Sequence, residues 1–176
     1  MSLELAAMRW LWLEKKCLVV LQERTPVSMM GQPDVLGITP GRYMVEVEIK
    51  RSASDFRADF RKTHRVNRQF YIKNQPRQFY YMMDRNLSEK LLPEIPDWAG
   101  LMTCDTVYNA EVIKSAPVNK ESKKLNLKQC SKLARQMTSH MMGFALANNS
   151  IRVNYRNIAS FDFADWVDCE KGTYLI

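Results

Sequence analysis

Two short β-strand patterns around a Pro40-Gly41 turn most constrain how this chain can fold. The first strand pattern covers residues 34–38 and the second covers 43–50, so the pair predicts a β-hairpin. Side chains alternate across a strand, and the second strand therefore places three charged residues on one face: Glu46, Glu48 and Lys50. Charged residues at every second position are poor core residues, which indicates that this face serves a purpose other than packing.

Asp34 begins the first strand of this hairpin. If the strands pair through the turn, its carboxylate lies near that of Glu48, and two close carboxylates favour a shared cation. Oxygen ligands suit Mg²⁺ or Mn²⁺, and Lys50 can hold a water beside the metal. Asp34, Glu48 and Lys50 are thus predicted catalytic residues for metal-assisted phosphodiester hydrolysis. The alternative is a structural salt bridge from Lys50 to either carboxylate.

The positive charge of the chain is concentrated directly after this strand. The formal net charge is +7, and residues 50–77 contain nine Lys or Arg and two Asp, which accounts for all of it. Such a cluster suits a polyanionic substrate held by its phosphates, whereas a solvated helix face is the alternative. The predicted nucleic-acid-binding residues are Arg51, Arg57, Arg61, Arg65, Arg68, Lys73 and Arg77.

Strands and helices alternate along the rest of the chain. Helices are predicted over residues 2–16, about 53–64, 87–92 and 121–147, and further strands over 18–23, 77–83, 99–104 and 107–114. The second helix begins with a capping box formed by Ser52 and Asp55. The pattern predicts an α/β fold in a single domain, 1–176, with a core over about 1–147 and a C-terminal extension over 148–176.

Composition excludes several other classes of protein. No apolar run reaches the ~18 residues that a membrane span needs, so no membrane association is expected. The four cysteines are widely spaced without a CxxC pair, which favours reduced thiols in the cytoplasm over disulfides or a zinc site. Nucleotide-binding and serine-hydrolase motifs are missing from the sequence.

The succession of motifs resembles the PD-(D/E)xK nuclease superfamily. The residues that carry the resemblance are Pro33-Asp34, Glu48-Ile49-Lys50, the segment from Ser52 to Lys62, Gln78 to Met82, and Pro96 to Met102. In this order they are similar to MmcB-like DNA repair proteins and their phage relatives, over roughly residues 1–135. The resemblance implies a restriction-endonuclease-like mixed β-sheet flanked by α-helices. It also implies a Mg²⁺- or Mn²⁺-dependent hydrolase that cuts DNA in repair, recombination or phage DNA processing.

The resemblance also implies how the metal is held. Asp34 and Glu48 would be joined by the backbone carbonyl of Ile49 and by one further acidic residue. Glu23 is the candidate for that residue, with Glu4 and Glu14 on the first helix as competitors. Asp59 and Lys62 share a face of the second predicted helix, and we expect them to support the site.

Two other functions share these features. One is a non-catalytic nucleic-acid-binding module on a nuclease-like fold, and the other is a nuclease directed at RNA. Neither the strand state of the DNA nor the mode of cleavage follows from the sequence. A homodimer or a protein partner bound through residues 148–176 is a further expectation.

Overall fold

The computed structural model describes residues 3–22, 33–59, 75–106 and 109–147, with side chains described in these ranges except at 19–22, 105–106 and 139–147. The chain divides into two compact units, Met1–Asn126 and Leu127–Ile176. The first unit holds every described strand together with three α-helices, α1 (Leu3–Leu13), α2 (Ala53–Asp59) and α3 (Arg85–Leu91). The second unit holds α4 (Leu127–Ala147). The predicted extension over 148–176 lies outside the described residues, and the single-domain assignment stays a prediction.

Six strands form one mixed sheet in the order of the chain. They are β1 (Val19–Gln22), β2 (Val35–Ile38), β3 (Met44–Ile49), β4 (Gln78–Asp84), β5 (Gly100–Thr106) and β6 (Asn109–Lys114). The pairs β1–β2 and β2–β3 are antiparallel, and the pairs β3–β4 and β4–β5 are parallel. The edge strand β6 pairs antiparallel with β5. The parallel pairs need crossover connections, and α2 and α3 lie in those connections. The prediction of an α/β fold with a mixed sheet flanked by helices is confirmed.

Both faces of the sheet are covered by helices, which explains its apolar strands. On one face α1 packs against the sheet, and the buried cluster there includes Ala7, Trp10, Leu11, Val45, Val47 and Ile49. The opposite face carries a second cluster with residues of α2 and α3: Phe56, Phe79, Tyr81, Met83, Leu91 and Leu101. The odd-numbered residues of β3 thus face α1, while Glu46 and Glu48 belong to the other face.

Local capping sets the helix starts. The Ser52 hydroxyl accepts a hydrogen bond from the Asp55 amide at 3.1 Å, so the predicted cap of α2 is present. The predicted helix end near residue 64 lies outside the described residues. The predicted start of the long helix at residue 121 is wrong, because α4 begins at Leu127. The Glu121 amide instead bonds the Asn119 side chain at 3.0 Å, and the Leu125 amide bonds the Arg42 carbonyl at 2.9 Å.

No helix within the described ranges is both long and apolar enough to cross a membrane.

Candidate metal centre

The β2–β3 hairpin brings Asp34 to the end of β3. Val35 pairs with Val47 in the antiparallel register, and continuing it by one residue places Asp34 opposite Glu48. The Asp34 carboxylate accepts a hydrogen bond from the Ile49 amide, with 2.6 Å between Oδ2 and the nitrogen. Asp34, the residue before β2, is therefore a neighbour of Glu48 across the hairpin, and its carboxylate is anchored at the amide of the residue after Glu48.

Lys50 lies at the centre of a group of acidic side chains. Its amide continues the parallel ladder by bonding the Met82 carbonyl at 2.9 Å, which keeps its side chain on the face of Glu48. The Lys50 Nζ atom is 2.9 Å from Glu48 Oε1, 3.3 Å from Asp59 Oδ1 and 3.9 Å from Asp55 Oδ1. We call these four residues the Lys50 cluster. Three of its members are nearly inaccessible to solvent, with 2% of Lys50, 5% of Glu48 and 0% of Asp59 exposed.

The charges around Lys50 determine its protonation. Burial by itself lowers the pKa of the Lys50 ammonium, but the attraction and hydrogen bond of Glu48, together with Asp59 and Asp55, outweigh it. The net result is a pKa above the ordinary value for lysine. Lys50 in this environment is a cation and a hydrogen-bond donor.

Asp59 is held in place by Tyr81, a residue that the sequence analysis did not select. The Tyr81 hydroxyl donates to Asp59 Oδ2 at 3.0 Å, and both side chains are buried. Tyr81 pairs with Glu48 in the parallel β3–β4 register, which places it beside the cluster. The Phe56 ring packs edge-on against Tyr81 with 5.0 Å between centroids and so fixes α2 over this site. Two facts would identify Tyr81 as a residue of the site: the alternation of side chains in β4 and the pairing of β4 with β3. Of these, only the alternation can be obtained from the sequence.

The donor set is chemically suited to a hard divalent cation. Mg²⁺ is commonly bound by one or two carboxylates, with waters and substrate phosphates as the other ligands, and Asp34 with Glu48 satisfies that requirement. Among the residues that the structure describes, no group of three or more His, Cys, Asp or Glu side chains is arranged to hold a metal. Further ligands would therefore be the Ile49 carbonyl, water, or Glu23, which lies outside the described residues.

The two competing acids of α1 differ in position. Glu4 forms an ion pair with Arg51, which directly follows Lys50, so the start of α1 lies near the end of β3. Glu14 is exposed and follows α1, about 15 Å farther along the axis of a helix that rises about 1.5 Å per residue. Of the two, only Glu4 contacts a residue adjoining the candidate centre.

The described basic residues of the segment 50–77 have intramolecular partners. Arg57 makes a two-point ion pair with Glu94, at 2.9 and 2.6 Å, and its guanidinium lowers the pKa of the Glu94 carboxyl. Arg77 stacks on Tyr43 at 4.2 Å from the ring centroid. Its amide bonds the carbonyl of Met44, the first residue of β3, about 20 Å from Lys50 at about 3.3 Å per strand residue. Exposed ion pairs are weak, so phosphate can compete for Arg51 and Arg57.

The remaining basic residues predicted to bind nucleic acid or to support the site lie outside the described residues: Arg61, Lys62, Arg65, Arg68 and Lys73. Their roles stay predictions.

Comparison with known proteins supports the fold. No family model and no curated protein matches the chain. The chain is similar to the solved structure of the SPO1766 protein of unknown function from Silicibacter pomeroyi, with a TM-score of 0.56 and 24% identity. The match covers 88% of this chain and 94% of that one. At this identity the likeness shows a shared fold alone.

Proposed function

We propose that this chain is a Mg²⁺- or Mn²⁺-dependent nuclease that hydrolyses DNA phosphodiester bonds. One observation carries the proposal. Asp34 lies opposite Glu48 in the β2–β3 register, and the Lys50 ammonium is 2.9 Å from Glu48 at the same end of β3. Two acids and a lysine gathered at one strand end match the motif on which the resemblance to PD-(D/E)xK nucleases rests. The burial of Glu48 and Lys50 suits electrostatic catalysis, because charges act more strongly where water is excluded.

Each residue has a distinct role in this proposal. Asp34 and Glu48 would hold the metal with the Ile49 carbonyl, and Asp34 also keeps the Ile49 backbone in place through the 2.6 Å hydrogen bond. Bound there, a divalent cation supplies charge stabilisation at the scissile phosphate and lowers the pKa of a coordinated water. Lys50 would orient the attacking water by donating a hydrogen bond to it.

The basic segment 50–77 supports DNA as the substrate, because Lys and Arg side chains bind phosphates independently of base sequence. Action in DNA repair, recombination or phage DNA processing follows from the resemblance only. A homodimer or protein partner reached through residues 148–176 stays a prediction.

Cleavage assays on matched variants test the proposal. Glu48→Gln, Asp34→Asn and Lys50→Ala should each abolish Mg²⁺-dependent nicking of plasmid and cutting of circular single-stranded DNA. Glu46→Gln is the matched control, since Glu46 lies two residues away on the same face of β3 and is also buried. DNA binding should persist in all four variants. Undiminished cleavage by purified Glu48→Gln protein would refute the assignment.

A non-catalytic nucleic-acid-binding module is the second candidate, and one observation favours it. The Lys50 ammonium already lies within 3.3 Å of two buried carboxylates, so the cluster resembles a structural network of ion pairs. Calorimetric titration of Mg²⁺ or Mn²⁺ into wild-type protein and Asp34→Ala separates the two functions. Metal binding that Asp34→Ala removes supports the nuclease, and DNA binding without any metal binding supports the module. The RNA-directed alternative is separated by comparing matched DNA and RNA substrates.

A further inference from the structure

Lys50 has two buried acidic partners. Glu48 Oε1 is 2.9 Å from the ammonium and Asp59 Oδ1 is 3.3 Å from it. These carboxylates come from different elements, Glu48 from β3 and Asp59 from the last residue of α2. A buried ammonium needs a carboxylate partner, and Lys50 has a second one besides Glu48 within ion-pair distance.

We propose that Asp59, held by the Tyr81 hydroxyl, is the partner that keeps Lys50 neutralised when a divalent cation occupies Glu48. This inference rests on the proposed function. A cation bound to Glu48 competes with the ammonium for the same carboxylate. If Glu48 were the sole partner, metal binding would leave a buried ammonium unpaired, which is strongly unfavourable. Asp59 and Tyr81 are positioning residues in this account, since they act through Lys50.

The geometry favours Asp59 over the third acid of the Lys50 cluster. Asp59 Oδ2 accepts a hydrogen bond from the Tyr81 hydroxyl at 3.0 Å, and Asp59 Oδ1 forms an ion pair with Lys50 at 3.3 Å. Asp55 is 3.9 Å from the ammonium, its side chain is 50% exposed, and it accepts the Arg51 amide at 3.4 Å. Water screens such a carboxylate, so it is a weaker partner for a buried cation.

Metal-free unfolding tests whether the two carboxylates substitute for each other. Urea midpoints should be measured for Glu48→Gln, Asp59→Asn and the double variant, with circular dichroism to confirm folding. If either acid can neutralise Lys50, the double variant should lose more than the sum of the two single losses. The excess should vanish when Lys50 is replaced by Met. Asp55→Asn in place of Asp59→Asn is the control and should give an additive loss. Additive losses for Glu48 and Asp59 would overturn the inference.

Calorimetric titration of Mn²⁺ alone tests the link to the metal. Asp59→Asn should weaken Mn²⁺ binding by about 10- to 100-fold, the range found for residues that orient metal ligands. Lys50→Met should bind Mn²⁺ more tightly than wild type, because the competing ammonium is gone. In the Lys50→Met background, adding Asp59→Asn should then not change Mn²⁺ affinity further. Tyr81→Phe should also weaken Mn²⁺ binding only when Lys50 is present, and by less than Asp59→Asn does.

The outcomes separate this inference from the proposed function. An equal loss from Asp59→Asn in both backgrounds means that Asp59 acts on the cation directly, which overturns the inference and leaves the nuclease proposal standing. Binding of neither Mn²⁺ nor Mg²⁺ by wild-type protein overturns both proposals. Loss of binding from Asp59→Asn in the wild-type background alone supports the inference.

Discussion

Replacing Tyr81 by Phe removes one buried hydroxyl and leaves the ring in place. The ring has edge-on contacts with Phe56 and Phe79, at centroid distances of 5.0 and 4.9 Å, and the substitution keeps both. The lost interaction is the 3.0 Å hydrogen bond to the Asp59 carboxylate, in a place where neither side chain is exposed. Hydrogen bonds to charged groups contribute about 1.5–3 kcal/mol, and Asp59 keeps its ion pair with Lys50 in the variant, which favours the lower half of that range. We expect the free energy of unfolding to fall by about 2 kcal/mol.

Urea unfolding followed by both circular dichroism and tryptophan fluorescence measures this loss. With a urea slope of about 2 kcal/mol per molar, the midpoint should fall by about 1 M while the slope stays unchanged. Tyr80→Phe is the matched control, because Tyr80 is the buried neighbour on the opposite face of β4. The hydrogen bond that the structure describes for its hydroxyl is a long one, accepted from the neutral Gln78 side-chain amide at 3.4 Å. The reasoning is refuted if the two variants lose stability equally, within about 0.5 kcal/mol.

Three further predictions concern the substrate, a buried thiol and a close backbone contact. DNA affinity should fall with salt, with a log–log slope of about −3 to −5. Replacing Arg61, Arg65 and Arg68 together by Gln should reduce the magnitude of this slope by about two. Unchanged affinity of the triple variant would show that the DNA-binding groove lies elsewhere. Burial raises the pKa of Cys17 from 9.0 to about 12. Because only the unfolded chain ionises in this interval, wild-type stability should fall relative to Cys17→Ala by about 1.4 kcal/mol per pH unit from pH 9 towards pH 12 in urea titrations. Gly100→Ala should lower the free energy of unfolding by about 1–3 kcal/mol, measured by thermal unfolding, because the added Cβ would lie 2.4 Å from the Tyr80 ring and 2.7 Å from the Ala116 amide nitrogen. Gly41→Ala is the control and should be close to neutral, because its Cβ would have no neighbour nearer than 3.4 Å.

The hairpin and its charged face could be predicted because they depend on local rules. Alternation in β3 determines that Glu46 and Glu48 share a face, and a short turn determines that β2 lies beside β3. The position of Asp34 opposite Glu48 follows from those two facts once the turn sets the pairing register. Helix starts were equally local where a side chain caps the helix, as Ser52 does for α2.

Features that depend on distant parts of the chain could not be predicted. Nothing in the residues around Tyr81 says that β4 pairs parallel with β3 in the register that sets Tyr81 beside Glu48. The predicted start of α4 at residue 121 was wrong for the same kind of reason. The segment over 121–126 is compatible with a helix, but the Arg42 carbonyl, far away in sequence, accepts the Leu125 amide. Tertiary hydrogen bonding there overrides local helix propensity.

The strand order bears on how the chain acquires its structure over time. Each strand of the sheet pairs with the one before it in sequence, but the β2–β3 and β5–β6 hairpins are local, whereas the parallel β3–β4 and β4–β5 pairs span helical crossovers. Parallel pairing through long crossovers has a larger entropic cost of loop closure, so we expect the two hairpins to form before the parallel pairs. Glu48, Lys50, Asp55 and Asp59 lie in the stretch from β3 to α2, whereas Tyr81 lies in β4, so the centre is complete only after the parallel β3–β4 pair has formed. During synthesis, a nascent chain would thus bury Lys50 and its acids only once β4 has been made and has paired with β3.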